Sequence, residues 1–384
     1  MPELTREDLH ALPKPELHVH LDGSLRPSTM LELAESAGVE LPASEPQALA
    51  ETMRAANSKD LVQYLEKFGI TLSLMQTPGS LERTAYELAE DSAEENIRYL
   101  EVRYSPALHT QNGMSLEEAV KAPLQGLARA ETDFGIRTGL IICGIRSFEP
   151  SVSRELAELA VAFKGQGVVA FDLAGGEAGN PAPVHQEAFQ YAANNNLPIT
   201  IHAGEAAGAD SISQAIHECH ARRIGHGTRL MEDPDLERVV NDFRIPLEVC
   251  LTSNVQTRVA PTLGEHPFRR YFDAGLVVTL NTDNRLISGT TLTDEYWRAH
   301  EHLGLGWDEL SATNARLIMA SISGFGHTGP LAQLPGYDGA AQAYAGLTGL
   351  NGDANGSPVV FGAPVGDVLT GLNALSGILA ALFW

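Results

Sequence analysis

Cysteine is scarce: Cys143, Cys219 and Cys250 are the only three in 384 residues. An odd, scattered set implies no disulfide framework. Basic charge is short as well, with 26 Lys and Arg against 49 Asp and Glu and a net charge of −23. That balance excludes nucleic acid as a partner, because binding phosphate needs a basic surface, and its plain consequence is high solubility. The first residues carry Glu3, Arg6, Glu7 and Asp8 with no long apolar run, so no signal peptide is expected. The last 17 residues, 368–384, are uncharged but broken by Thr370, Asn373, Ser376 and two glycines. A membrane span needs roughly 20 apolar residues, so a buried-type helix is expected there and no membrane partner. A glycine-rich phosphate fingerprint is also missing. A cytoplasmic enzyme fits these absences, and they give no indication of oligomeric state.

Apolar, β-branched runs recur at 16–20, 99–104, 137–143, 168–173, 198–202, 223–226, 246–250 and 276–281. Amphipathic helical patterns lie between them, as at 81–96, 150–164 and 234–242. Alternating strand and helix implies parallel βαβ units. Eight such strands in roughly 280 residues suit an α/β fold of the (β/α)₈ TIM-barrel type, whose site lies at the C-terminal strand ends. A doubly wound sheet competes, but the missing phosphate fingerprint disfavours it.

Four segments end such runs with metal- or proton-competent side chains. In Leu17-His18-Val19-His20 the side-chain period of two points both imidazoles to one face, where they can grip one ion. Ile201-His202-Ala203-Gly204-Glu205, Ile224-Gly225-His226-Gly227-Thr228 and Leu280-Asn281-Thr282-Asp283-Asn284 supply the rest. His18, His20, His202 and Asp283 form a ligand set suited to one Zn²⁺ per chain. Glu205, three residues after His202, is placed for proton transfer, and His226 for orienting or deprotonating a water. Each alone has a plainer reading: a hydrogen-bonded structural histidine, a helix cap at Asp283, a solvated Glu205. Their joint arrangement favours a metal-dependent hydrolase. His109, His185, His217, His220, His266, His300, His302 and His327 lack such company and read as structural.

The stretches PELHVHLDGS, EVRYSP, DLAGGE, HAGE, RIGHGT, CLTSN and LNTDN, collinear over residues 13 to about 300, resemble the adenosine deaminase family of zinc-dependent aminohydrolases. The resemblance implies a (β/α)₈ barrel with zinc on His18, His20, His202 and Asp283. It implies that Glu205 protonates purine N1 while hydroxide attacks C6, with His226 positioning the hydroxide. It also places the Gly175 backbone near purine N3, Asp22 near the ribose hydroxyl, His20 beside the substrate, and Leu61, Tyr64, Leu65 and Phe68 in an apolar lid. Ordinary core packing is the competing reading for those four. Two positions depart from the family pattern. Asn284 replaces a frequent aspartate at purine N7, where its amide NH₂ donates without first taking up a proton, unlike a carboxylate, and Gly176 stands where an acidic residue is common. Asp22 resembles the nucleoside branch rather than the free-base branch, and no Arg/Lys cluster beside the motifs suits a phosphate. Adenosine and 2′-deoxyadenosine are the expected substrates, with adenine or another 6-aminopurine as the alternative.

Composition changes near residue 303. The final 82 residues hold six of the 75 charged side chains but 15 of the 36 glycines. The run 315–330, then Gly336-Tyr337-Asp338 and 364–372, resembles class III CoA-transferases, in which Asp338 would carry the acyl group. About 80 residues are too few to rebuild that enzyme, and its CoA-binding portion is not among them. The expected organisation is therefore a deaminase-like barrel over 1–302, without its usual C-terminal helices, and a nonfunctional fragment over 303–384. Exposed apolar surface is expected to follow, partly offset by a helix at 310–322. The reading from another class is an inactive fusion barrel that only binds nucleoside.

Overall fold

A computed structural model describes residues 4–55, 67–306, 309, 336–351, 356–360 and 362–383. Each of the eight expected runs carries a strand: β1 Lys14–His20, β2 Ile97–Tyr104, β3 Arg137–Ile145, β4 Val168–Ala174, β5 Thr200–Ala203, β6 Arg223–His226, β7 Leu247–Val249 and β8 Val278–Leu280. All neighbours pair in parallel, in two sheets ordered β1-β2-β3-β4 and β5-β6-β7-β8. Single parallel bridges, Phe171–Ile199 and Val19–Asp283, stand at the two seams. Parallel sheets are covered on both faces, so the strands are buried almost end to end. This arrangement fits a TIM-type fold.

Helix boundaries follow local chemistry. The helix expected at 81–96 begins earlier, at Pro78–Glu94, because Thr77 and Ser80 form a reciprocal cap and proline is pre-set for the first turn. Leu116–Phe134 starts on a Ser115/Glu118 capping box and stops at Gly135, whose φ of 69° suits a residue without Cβ. Thr291 and Asp294 cap Leu292–Leu303 in the same manner.

The chain divides into two compact units, Met1–Asn314 and Ala315–Trp384. The second holds helices Asp338–Tyr344, Leu347–Leu350 and Val365–Phe383. Residues 368–384 were expected to form a buried-type helix, and over the side chains described, up to Ser376, the structure corrects this. The helix is there, but Val368, Leu369, Leu372 and Leu375 are each more than half exposed. Periodicity makes the helix, whereas burial needs a partner face. Asp338 meets Gly366 N at 2.6 Å and Gln342 Nε2 at 2.5 Å, so its carboxylate caps this helix. The helix expected at 310–322 lies outside the described residues. Among those described, no helix is long and apolar enough to cross a membrane.

Two of the structural histidines set an acid limit on the fold. Burial pushes the His109 imidazole down to about 4 and that of His266 to about 3. Unfolded, both titrate near 6.5. Above pH 6.5 they are neutral in both states. Below it the unfolded chain takes up protons first, so stability falls by about 1.4 kcal/mol per pH unit for each histidine until its folded pKa is reached. Urea midpoints between pH 6.5 and 5.5 should therefore drop less steeply in His109→Gln than in the parent; equal slopes would contradict this assignment.

Candidate active site and metal centre

The strand ends aim the sequence motifs at one point. His18 and His20 share a face of β1, His202 lies within β5, His226 ends β6, and Asp283 lies just beyond β8. His226 and Asp283 have φ of 64° and 62°, the left-handed region that costs a β-carbon-bearing residue roughly 1–2 kcal/mol. Such strain gathers where a side chain must be aimed against its backbone preference. Gly225 is required for the same convergence: a Cβ there would fall 3.0 Å from His18 Cε1.

His18 and His202 are oriented by buried carboxylates. His18 Nδ1 lies 3.1 Å from Glu248 Oε2, and His202 Nδ1 lies 3.0 Å from Asp172 Oδ2. A carboxylate accepts, so each Nδ1 carries the ring proton and each Nε2 is left with a lone pair pointing into the site. Arg103, fully buried, holds both carboxylates, with Nη1 at 3.0 Å from Asp172 and Nη2 at 2.6 Å from Glu248. Burial alone would raise both acids, but Arg103 with His202 at Asp172, and Arg103 with Arg223 at Glu248, hold them well below the usual range.

The His18 and His202 side chains then meet one another and that of His20. His20 Nε2 stands 3.0 Å from His202 Nε2 and 3.4 Å from Asp283 Oδ1, which is 3.6 Å from His18 Nε2. His18 Nε2 is buried with no hydrogen-bond partner. Ser253 Oγ donates to the other Asp283 oxygen at 2.6 Å. Asp283 is thus committed to the cluster and does not cap the following helix. Burial would raise its pKa, yet His18, His20 and His226 hold it far below the normal carboxylate range. Burial depresses the imidazoles of His20, His202 and His226. Imidazole nitrogens and a carboxylate crowded on one point fit a bound cation. Ligand atoms of His18, His202, His226 and Asp283 lie within 4.8 Å of one another.

Glu205 is buried rather than solvated, with Oε2 3.6 Å from His226 Nε2. Burial, reinforced by Asp283 and Glu177, pushes its carboxyl well above the ordinary value. Its loop is clamped by Glu177, whose carboxylate accepts from the N–H groups of Gly204, Glu205, Ala206 and Ala207 at 2.6–3.0 Å. Glu177 is the last residue of the DLAGGE motif, directly after Gly176.

A cavity of about 240 Å³ opens beside this cluster. His20, Asp22, Gly175, Glu205, His226 and Asn284 line it, along with Phe68 and Leu72. Burial raises Asp22 to about 7. Gly175 has φ of 93° at the cavity wall. A Cβ on Gly23 would strike the Asn284 side chain, which accounts for the glycine of HLDG. Leu61, Tyr64 and Leu65 lie outside the described residues. Sequence reasoning assigned no role to Arg103, Asp172, Glu177 or Glu248. A signal was available for three of them: a charge inside an otherwise apolar, fully buried strand run needs a buried partner.

Crowded imidazoles and a carboxylate beside a second buried carboxyl, at the C-terminal ends of parallel strands, fit the centre of a metal-dependent hydrolase. The chain belongs to the adenosine deaminase family, whose model matches residues 13–327. A second model, CoA-transferase family III, matches residues 292–384. The chain is 44% identical over 338 residues to an adenosine deaminase of Mycolicibacterium gilvum, covering 84% of this chain and 93% of that protein. Among solved structures, an adenine deaminase from Arthrobacter aurescens is similar at 30% identity with a TM-score of 0.74, over 81% of this chain and 95% of that one. A cog1816 amidohydrolase from Burkholderia ambifaria, solved with bound Zn, is similar at 25% identity with a TM-score of 0.74, over 82% and 88% of the two chains.

Proposed function

We propose that this protein hydrolytically deaminates adenosine and 2′-deoxyadenosine, giving inosine or 2′-deoxyinosine and ammonia. The observation that carries this is the buried Glu205 beside the converging side chains of His18, His20, His202 and Asp283. Those four would hold one zinc per chain. Zinc, when bound, lowers the pKa of its water to about 7 and so supplies hydroxide at neutral pH. Glu205 donates its proton to purine N1 as a C6–O bond forms. The new C6 hydroxyl then gives up its proton to the amine, the C6–N6 bond breaks, ammonia leaves and the 6-oxo group remains. Asn284 faces N7, the Gly175 backbone N3, and Asp22 the ribose.

The two sheets form one (β/α)₈ barrel in this reading, joined at the Val19–Asp283 and Phe171–Ile199 seams. Residues 1–302 carry the catalysis, in the cytoplasm, and 303–384 contribute none, since Asp338 is engaged in capping. No Lys or Arg is among the described residues lining the cavity, which supports a substrate without phosphate. The likeness to an adenine deaminase favours adenine as the second reading. The test follows the ultraviolet change of adenosine, 2′-deoxyadenosine and adenine on protein of measured zinc content. The nucleosides should turn over with the higher kcat/KM; faster adenine turnover would support the second reading, and no turnover with one zinc bound would support a binding-only barrel.

A further inference from the structure

Three site histidines point Nε2 at the same small volume, yet the groups behind them differ. Behind His18 and His202 stand carboxylates, which accept. Behind His226 stands an amide nitrogen: Asn254 Nδ2 is 3.0 Å from His226 Nδ1. What that amide presents is decided two residues away. The backbone N–H of Phe268 can only donate, and it points at His266 Nδ1 at 3.1 Å. His266 Nδ1 therefore keeps its lone pair, and the ring proton sits on Nε2. That N–H meets Asn254 Oδ1 at 3.1 Å, and Thr228 Oγ1 donates to the same oxygen at 2.9 Å. The amide is thus held with its oxygen toward His266 and its NH₂ toward His226. His226 Nδ1 must accept, which places the His226 proton on Nε2, facing Glu205 and the cavity.

We propose that Asn254 and His266 are positioning residues that hold His226 as its Nε2–H tautomer. His226 then serves as a hydrogen-bond donor, neither binding the metal nor acting as a base. The proposal rests on the deaminase reading for its chemical consequence, but not for the tautomer itself. A nitrogen that carries a proton has no lone pair for a cation, so proximity alone does not make His226 a ligand. The sequence reading left two roles open for His226, orienting a water or deprotonating it. The relay retains only the first. Asn254, His266, His226 and Thr228 are all buried, so water does not compete for these bonds. Burial also pushes His266 down to about 3, leaving it neutral at physiological pH.

The tautomer can be read without turnover. In full-length, histidine-¹⁵N-labelled protein, two-bond ¹H–¹⁵N correlation spectra distinguish a protonated Nδ1 from a protonated Nε2, with the His226 signals assigned by their loss in His226→Gln. The expected result is protonated Nε2 in His226 and protonated Nδ1 in His18 and His202. Protonated Nδ1 in His226 would overturn the proposal. In Asn254→Asp the new carboxylate accepts from Nδ1, so the two ¹⁵N signals of His226 should exchange. With the proton on the wrong nitrogen, kcat should fall by roughly 10²–10⁴-fold while KM changes little. His266→Gln, whose amide can still donate to Asn254, should keep the parental spectrum; His266→Leu should not. A His226 spectrum unchanged in both Asn254→Asp and His266→Leu would overturn the relay. The parental spectrum decides the tautomer even if a variant does not fold. Loss of activity with the expected spectrum would count against the deaminase reading instead.

Discussion

Glu205→Gln should lower kcat for adenosine by roughly 10²–10⁴-fold, the usual worth of a positioned proton donor. KM and zinc content should stay near parental values. Glutamine keeps the shape and a hydrogen-bonding end but has no proton to give to N1. The carboxyl can donate at neutral pH because it is buried beside Asp283 and Glu177, both of which oppose its ionisation. Its position is maintained by the Glu177 clamp on four successive N–H groups, so the substitution should not move the loop. Steady-state kinetics on metal-quantified protein is the check. A kcat within about threefold of the parent would remove Glu205 from the donor role.

Metal removal should abolish turnover, and zinc should restore it. Asp283→Ala should retain no metal after dialysis, because Asp283 is the only carboxylate among the four proposed ligands. Weaker effects are expected one layer out: Asp172→Asn and Glu248→Gln should each cost roughly 10–100-fold in metal affinity. Each takes away the negative charge and one of the two accepting oxygens behind a proposed ligand histidine, weakening the bond that keeps its lone pair turned inward. Competition with a zinc-binding dye measures both sets. Full affinity in Asp172→Asn would show that His202 is oriented by something other than that carboxylate. Because a ligand bound only to the folded state stabilises it, the parent should also melt higher with zinc than after chelation.

The second unit tests a different property. Its long helix leaves Val368, Leu369, Leu372 and Leu375 in solvent. The same residues read as a buried helix in sequence because they are uncharged. Hydropathy reports what a side chain prefers, not whether the fold supplies a surface to satisfy it.

The eight strands were legible one by one, since each is a short apolar run and parallel strands are buried on both faces. The His18/His20 pair was legible for a related reason: a strand repeats every two residues, so spacing alone puts both rings on one side. The motif order likewise placed His202, Glu205, His226 and Asp283 at strand ends. What the chain could not announce is the direction each ring nitrogen faces. Arg103 finds Asp172 across 69 positions and Glu248 across 145. His18, His202 and His226 are the same residue type at the ends of the same kind of strand. Two back onto carboxylates and one onto an amide, and only the packed fold sets those neighbours. A histidine's lone pair or proton is decided by its hydrogen-bond partner, and that partner belongs to the tertiary structure.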